Sequence, residues 1–267
     1  MQLKNDLTML IHSCDKFSDL WDAHVYLLEK NWNDRGIPTY ILTDKENKRN
    51  YENVSVLPAG DGTELSERTA YALNRIDTEF VFITLDDYFL VQPVSNEVIG
   101  SVLDMMEAEK LDYVRLYLRP KCKRKSRIKK YGKVYEINTN DRYCVNLYAG
   151  IWRKNFLAST IGERKNAWQY EVSLPKIARE YGAHCAMSNN KEFVILDMVR
   201  KGKFLNKANR FLKKNKLYQG ERGVNSYWYE IKLGIRTWAI RLMPKWVTNK
   251  ARSFMIKRGH HYFSQEE

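Results

Sequence analysis

The sequence is poor in the features that announce most small-protein chemistries. Its four cysteines, Cys14, Cys122, Cys144 and Cys185, form no C-x-x-C pair and no close Cys/His spacing, which argues against a zinc site or a disulfide scaffold. No apolar run approaches the roughly 18 residues of a membrane span. The opening Met1–Asp6 (MQLKND) does not read as a signal peptide, so the expectation is a soluble or peripheral cytoplasmic protein. Internal repeats and low-complexity tracts are also missing. What is present is core-forming material: 44% hydrophobic and 13% aromatic residues in 267 positions exclude a disordered chain and allow a large domain with an appendage.

The net charge of +13 is concentrated in parts of the chain. Residues 1–118 hold 11 Lys/Arg against 21 Asp/Glu, whereas residues 119–133 hold nine bases and no acid. Residues 134–199 are nearly neutral, and residues 200–258 hold 17 bases against two acids. A generally basic nucleic-acid binder would not start with an acidic body of that length. The pattern predicts a globular domain over 1–199 with one basic loop, and a basic C-terminal extension over 200–267.

Periodicity supplies the elements. Strands are expected at Leu7–His12, Pro38–Thr43, Val54–Leu57, Glu79–Leu85, Tyr113–Leu118 and Val145–Trp152, with Lys191–Leu196 closing the sheet. Helical spacing covers 16–34, the stretch after Ser66, and 96–110. It returns at 154–161 and at 168–180, with Pro175 accommodated if the last helix begins near Leu174. Two basic helices are predicted at about 203–217 and 225–243. Segment 119–133 reads as a loop or hairpin arm. The alternation of strands and helices is an α/β pattern with a mostly parallel central sheet.

The sharpest chemical feature is Asp86-Asp87, at the end of the most buried strand. Ligands of open α/β sheets collect outside the carboxyl ends of the strands. Adjacent carboxylates repel each other unless a cation or strong donors intervene, and Mg²⁺ or Mn²⁺ suits such oxygens.

The run ELSERTAYALNRIDTEFVFITLDDYFLVQPV resembles the middle of GT-A fold glycosyltransferases of bacterial cell-surface polysaccharide synthesis. NLYAGIWRKNFL and AWQYEVSLPKIARE resemble their acceptor-side block, and the resemblance covers about residues 7–197. It implies a Rossmann-like sheet flanked by helices and transfer of a sugar from a nucleotide donor, a uridine diphosphate sugar above all, to a saccharide or lipid-linked acceptor. It also implies roles. Asp87 resembles the metal ligand, and Asp86 a second ligand or sugar contact, while Leu85 stands where the motif usually begins with an acid. His12, Ser13 and Asp15, with Asp44 across the sheet, lie where such folds hold nucleobase and ribose. Arg68 resembles the basic residue facing the donor. Glu171 resembles the carboxylate that deprotonates the acceptor, with Trp168, Tyr170 and Trp152 as aromatic surfaces for a sugar.

The tail has its own logic. Trp228, Ile231, Ile235, Trp238, Leu242 and Trp246 form one stripe, flanked by Lys232, Arg236, Arg241 and Lys245. This describes an interfacial amphipathic helix for the anionic inner face of a membrane. Competing readings are a nucleic-acid binder that uses the basic arm and tail, and a non-catalytic scaffold with a transferase-like fold.

Overall fold

In the computed structural model, which describes residues 3–118, 124–218 and 220–242, the chain divides into two units, Met1–Leu196 and Asp197–Glu267. In the first unit a short turn, α1 (Leu3–Asp6), leads into β1 (Leu7–His12). A 3-10 stretch at Asp15–Leu20 and α2 (Trp21–Asn31) come next, then β2 (Thr39–Thr43), β3 (Ser55–Pro58), α3 (Leu65–Leu73) and β4 (Phe80–Leu85). After these stand β5 (Tyr88–Leu90), α4 (Asn96–Ala108), β6 (Tyr113–Arg115), β7 (Arg124–Arg127), β8 (Val134–Ile137) and β9 (Gly150–Arg153). The remainder is α5 (Lys154–Ser159), α6 (Ala167–Tyr181), β10 (Cys185–Ser188) and β11 (Ile195–Asp197).

Nine strands form one sheet in the order β3-β2-β1-β4-β9-β6-β10-β8-β7. Strand β9 is antiparallel to both β4 and β6, and β8 is antiparallel to both β10 and β7. The other pairings are parallel, so all strands but β8 and β9 point one way. The register aligns His12 with Leu42 and with Leu85, which brings the carboxyl ends of β1, β2 and β4 level. Every loop leaving those ends therefore meets its neighbours along one edge.

The nearly continuous apolar run of β4 has a simple cause: both of its faces are covered. Phe80 and Phe82 join Leu7, Met9, Ile11 and Ile41 beneath Trp21, Val25 and Leu28 of α2 and Ile99 and Leu103 of α4. Val81 and Ile83 join Leu10 and Leu42 beneath Leu65 and Ala72 of α3, Phe156 of α5 and Leu174 of α6. The result is helix, sheet and helix in three layers.

Several expected elements differ. Lys191–Leu196 does not close the main sheet; β11 pairs instead with β5 in a small separate ribbon. Helix α6 does not begin near Leu174 but runs unbroken from Ala167 to Tyr181 with Pro175 inside it. Its start is secured further upstream, where the Asn166 side chain accepts the N–H groups of Trp168 and Gln169, both at 3.0 Å, and Gln169 answers to the Asn166 N–H. The basic arm contributes β7 at the outer edge of the sheet, where charged residues discourage pairing with another chain. Residues 119–123 lie outside the described residues.

The second unit holds β12 (Val199–Arg200), β13 (Lys203–Phe204), α7 (Asn206–Asn215) and α8 (Tyr227–Leu242). The buried amide of Asn225 ties it together by donating to the carbonyls of Arg200 and Lys203 at 3.1 Å each. No helix among the described residues is long and apolar enough to cross a membrane.

Strand β9 leaves no room for a side chain at Gly150, because a Cβ there would lie 2.9 Å from the Val114 carbonyl oxygen and 3.1 Å from the Tyr113 ring. Gly150→Ala is predicted to destabilise the first unit by about 1–3 kcal/mol through overpacking. Urea unfolding of the variant checks this, and an unchanged midpoint would contradict the close approach.

Candidate functional site

The site is built from the residues just beyond the ends of β1, β2 and β4. The backbone continues the strand pairing by one step, with Ser13 N–H donating to Leu42 O at 3.0 Å and Asp86 N–H to His12 O at 3.1 Å. This sets Ser13 beside Asp86, and its hydroxyl donates a short hydrogen bond to the Asp86 carboxylate. The Ser13 oxygen in turn accepts the Trp21 indole N–H at 2.7 Å. His24 lies 3.0 Å through Nδ1 from the Asp86 carbonyl oxygen, which requires the proton on that nitrogen. Trp21 and His24 are three residues apart in the first turn of α2 and so share a face. One helical turn thereby holds both the side chain and the backbone of Asp86, which is only 7% exposed.

The neighbouring Asp87 is half-buried in the turn between β4 and β5, so the two carboxylates have unequal access to solvent. Leu85 packs against the hydrophobic cluster under α3 and supplies no ligand. No group of three or more His, Cys, Asp or Glu residues suited to a metal forms among the described residues. A divalent cation here would therefore share one or two aspartates with substrate oxygens and water, a pattern common for Mg²⁺.

On the other side of β1, the Asp15 N–H donates to the Asp44 carboxylate at 2.7 Å. Partial burial pushes Asp44 up, but that hydrogen bond, a second from its own backbone, the Arg68 charge and the Thr43 hydroxyl outweigh it, leaving the carboxyl below its ordinary value. Arg68 comes from α3, anchored by a short hydrogen bond from one guanidinium nitrogen to Thr63 O. Its Nε is buried without a hydrogen-bond partner. Burial raises the Cys14 thiol, the Asp86 charge raises it further and Arg68 opposes both, so a cationic group and two anionic ones converge on this loop. A cleft of about 400 Å³ opens alongside, lined by Asp44–Glu46 and Pro58–Asp61 at the ends of β2 and β3.

His12 occupies the floor of this region. It is buried, neither ring nitrogen has a hydrogen-bond partner, and burial with the nearby Arg68 charge lowers it to about 3. It is thus a neutral imidazole at any ordinary pH.

The remaining expected residues divide. The Glu171 carboxylate accepts the Leu147 N–H at 3.3 Å, which ties it to the loop entering β9. Because β9 is antiparallel, that loop lies on the same edge as Asp87. Trp168 is exposed at the start of α6. Tyr170 and Trp152 are wholly buried and offer no surface to a sugar. The Tyr170 hydroxyl meets that of Thr160, and burial raises it far above the ordinary phenol value. Trp152 packs between Tyr113 and Phe156, with ring centroids 4.4 and 5.6 Å away.

Sequence reasoning missed an aromatic stack. Tyr148 lies nearly parallel between Tyr88 and Tyr117, with centroids 5.1 and 5.5 Å away. Tyr88 immediately follows Asp87, and Tyr148 immediately follows Leu147, so the stack spans the gap between the aspartates and the Glu171 loop. Buried Arg115 fixes the backbone around it by donating to Tyr117 O at 2.8 Å and to Tyr143 O and Cys144 O at 3.3 and 3.2 Å.

Sequence comparison identifies no relative: no protein-family profile and no curated protein matches the chain. Solved structures do match. The crystal structure of S. aureus TarS aligns with a TM-score of 0.50 at 12% identity, over 70% of this chain and 36% of that one. TarS 1–349 in complex with UDP-GlcNAc aligns with a TM-score of 0.50 at 13% identity, over 74% of this chain and 60% of that one. This chain therefore corresponds to only part of either. The fold is GT-A. At this identity the likeness extends to the fold alone, and the site above rests on its own geometry.

The two histidines give the site a pH signature. Burial lowers His24 to about 4, and its hydrogen bond to Asp86 offsets this only in part. Depressed histidines stay unprotonated in the native state while the unfolded chain takes the protons up. Their stabilising contribution is complete above about pH 6.5 and is lost as pH falls toward 4 for His24 and 3 for His12. His24→Asn keeps an amide donor near Asp86 and is predicted to flatten the acid limb of stability by about one proton, or about 1.4 kcal/mol per pH unit. Urea titrations between about pH 6 and 4.5 measure the slope, and an unaltered slope would rule His24 out as a source.

Proposed function

We propose that this protein is a glycosyltransferase that moves a sugar from a nucleotide-sugar donor, a uridine diphosphate sugar in the first instance, to a saccharide or lipid-linked acceptor. The biological setting proposed is bacterial surface-polysaccharide synthesis, at the cytoplasmic face of the membrane. The observation that carries the reading is the edge itself. A half-buried Asp87, a held Asp86, Asp44 and Arg68 gather at the carboxyl ends of β1, β2 and β4 of a GT-A sheet, with Glu171 reaching the same edge from α6. The neighbouring TarS structure, solved with UDP-GlcNAc, supports a donor of this chemical type.

The roles follow from charge and access. Asp44 offers a low-lying carboxylate to the donor's ribose hydroxyls, with Ser13, Asp15 and His12 framing the nucleoside. Arg68 faces the diphosphate and stabilises the negative charge that accumulates as the sugar–phosphate bond breaks. Asp87, with Asp86 behind it, would hold Mn²⁺ or Mg²⁺; a bound cation would supply further charge neutralisation on the leaving diphosphate. Glu171 is the candidate base. It takes the proton of the acceptor hydroxyl as that oxygen bonds to the anomeric carbon, and the Leu147 N–H gives it a fixed position beforehand. Trp168 is the aromatic side chain exposed to receive the acceptor.

Two measurements test this. In a thermal-shift panel of nucleotides and nucleotide sugars, a true donor at 100 times its dissociation constant adds about 2.7 kcal/mol of stability. Glu171→Gln is predicted to lower kcat by about 10²–10⁴-fold with the donor shift retained, while Asp87→Asn loses any Mn²⁺-dependent part of that shift. Silence from every nucleotide would favour a non-catalytic scaffold. Wild-type turnover in both folded variants would refute the residue assignments.

A further inference from the structure

The transfer reading leaves the second unit unexplained, and two of its surfaces need an occupant. In α8, Tyr227, Trp228, Ile231 and Ile235 are 61, 73, 49 and 60% exposed. Trp228, Ile231 and Ile235 follow the i, i+3, i+7 spacing, so they form one row along the helix. The acid of this helix, Glu230, is directed inward: its carboxylate accepts both the backbone N–H and the side-chain amide of Asn206, at 2.7 and 2.9 Å. That leaves exposed Lys232 beside the apolar row.

Helix α7 shows the opposite kind of surface. Ala208 and Leu212 are buried, while Lys207, Arg210, Lys213 and Lys214 are exposed. Over residues 200–235 the chain carries ten Lys/Arg against two Asp/Glu. The side chains of Trp238 and Leu242, with Trp246, Arg236, Arg241 and Lys245, lie outside the described ones.

We infer that this unit docks on an anionic lipid bilayer, with the Trp228–Ile231–Ile235 row entering the headgroup–acyl boundary and the α7 cations facing the lipid phosphates. Charge complementarity selects this occupant. Nucleic acid rewards the cations but not solvent-facing isoleucines, whereas an anionic bilayer rewards both features of one unit. Tryptophan is itself favoured at the membrane–water boundary. Bilayer docking goes beyond the transfer reading and stands or falls without it.

The test is co-sedimentation of the full chain with vesicles of phosphatidylcholine alone or with about one-third phosphatidylglycerol. The chain is expected to partition onto the anionic vesicles at least about tenfold better than onto the neutral ones. The triple variant Trp228→Ser, Ile231→Ser, Ile235→Ser alters only exposed side chains. It should keep the wild-type melting temperature and lose about tenfold or more of the binding. Lys207→Ser with Lys214→Ser should weaken binding to anionic vesicles alone and leave the residual binding less sensitive to salt. Equal binding to both vesicle types, or anionic binding that the triple variant leaves intact, would overturn the inference. So would retention on RNA without retention on vesicles, or a wild-type dimer that the triple variant dissolves while neither protein binds lipid. Nucleotide thermal shifts run on the same samples report the donor site separately, so failure of one reading is visible apart from failure of the other.

Discussion

Two carboxylates joined by a single peptide bond at the end of a buried strand repel each other, and this site depends on how that repulsion is managed. The Ser13 hydroxyl takes up one of them. It does so because the Trp21 indole fixes the serine oxygen and leaves its proton to point at Asp86. The carbonyl of the same aspartate engages His24, one helical turn along from Trp21. The arrangement spans the end of β1, the first turn of α2 and the end of β4, so it depends on the core that holds these three elements together. Asp87 is then the carboxylate with access to solvent, although nothing in the dipeptide itself distinguishes the two.

Much of this architecture was legible in the sequence because it rests on long apolar periodicities. The β4 run, the α4 spacing and the strand–helix alternation of the first 110 residues carry strong signals, and tertiary packing agrees with them. The failures come where the signal is short or non-local. Cys185–Ser188, a four-residue strand in the interior of the sheet, is bracketed by Gly182 and Asn189-Asn190 but is short and has no alternation to read. Lys191–Leu196 looks like an edge strand, but its partner is a three-residue strand near Asp87, which only the fold could reveal. Pro175 argued for a late helix start, whereas the Asn166–Gln169 cap settled an earlier one.

The candidate site was legible in the same uneven way. Asp86, Asp87, Asp44 and Arg68 lie at strand ends or on the helix ahead of β4, positions that topology makes predictable. Trp152 and Tyr170 looked like sugar platforms because aromatic residues serve that purpose elsewhere, yet burial decides their use, and burial is not a local property. Conversely, Tyr88, Tyr148 and Tyr117 are distant in sequence and acquire meaning only as a stack. The charge asymmetry of the chain kept its value. The acidic half carries the edge where the aspartates gather, and the described basic residues of the arm and tail lie on the sheet margin and in the second unit.

Strand β9, inserted against the direction of its neighbours, has a consequence for how such a protein diversifies. Because it is entered from the carboxyl edge, the loop of residues 138–149 arrives beside the aspartates, yet it belongs to a different stretch of chain from the residues around Asp44 and Arg68. Changes in its outer part, residues 138–143, would leave β1 through β4 untouched, whereas Cys144, Val145, Leu147 and Ala149 are buried in the core. One scaffold can therefore keep the residues around Asp44 and Arg68 constant while the exposed part of this loop varies, bounded on its far side by the buried run that leads into Gly150.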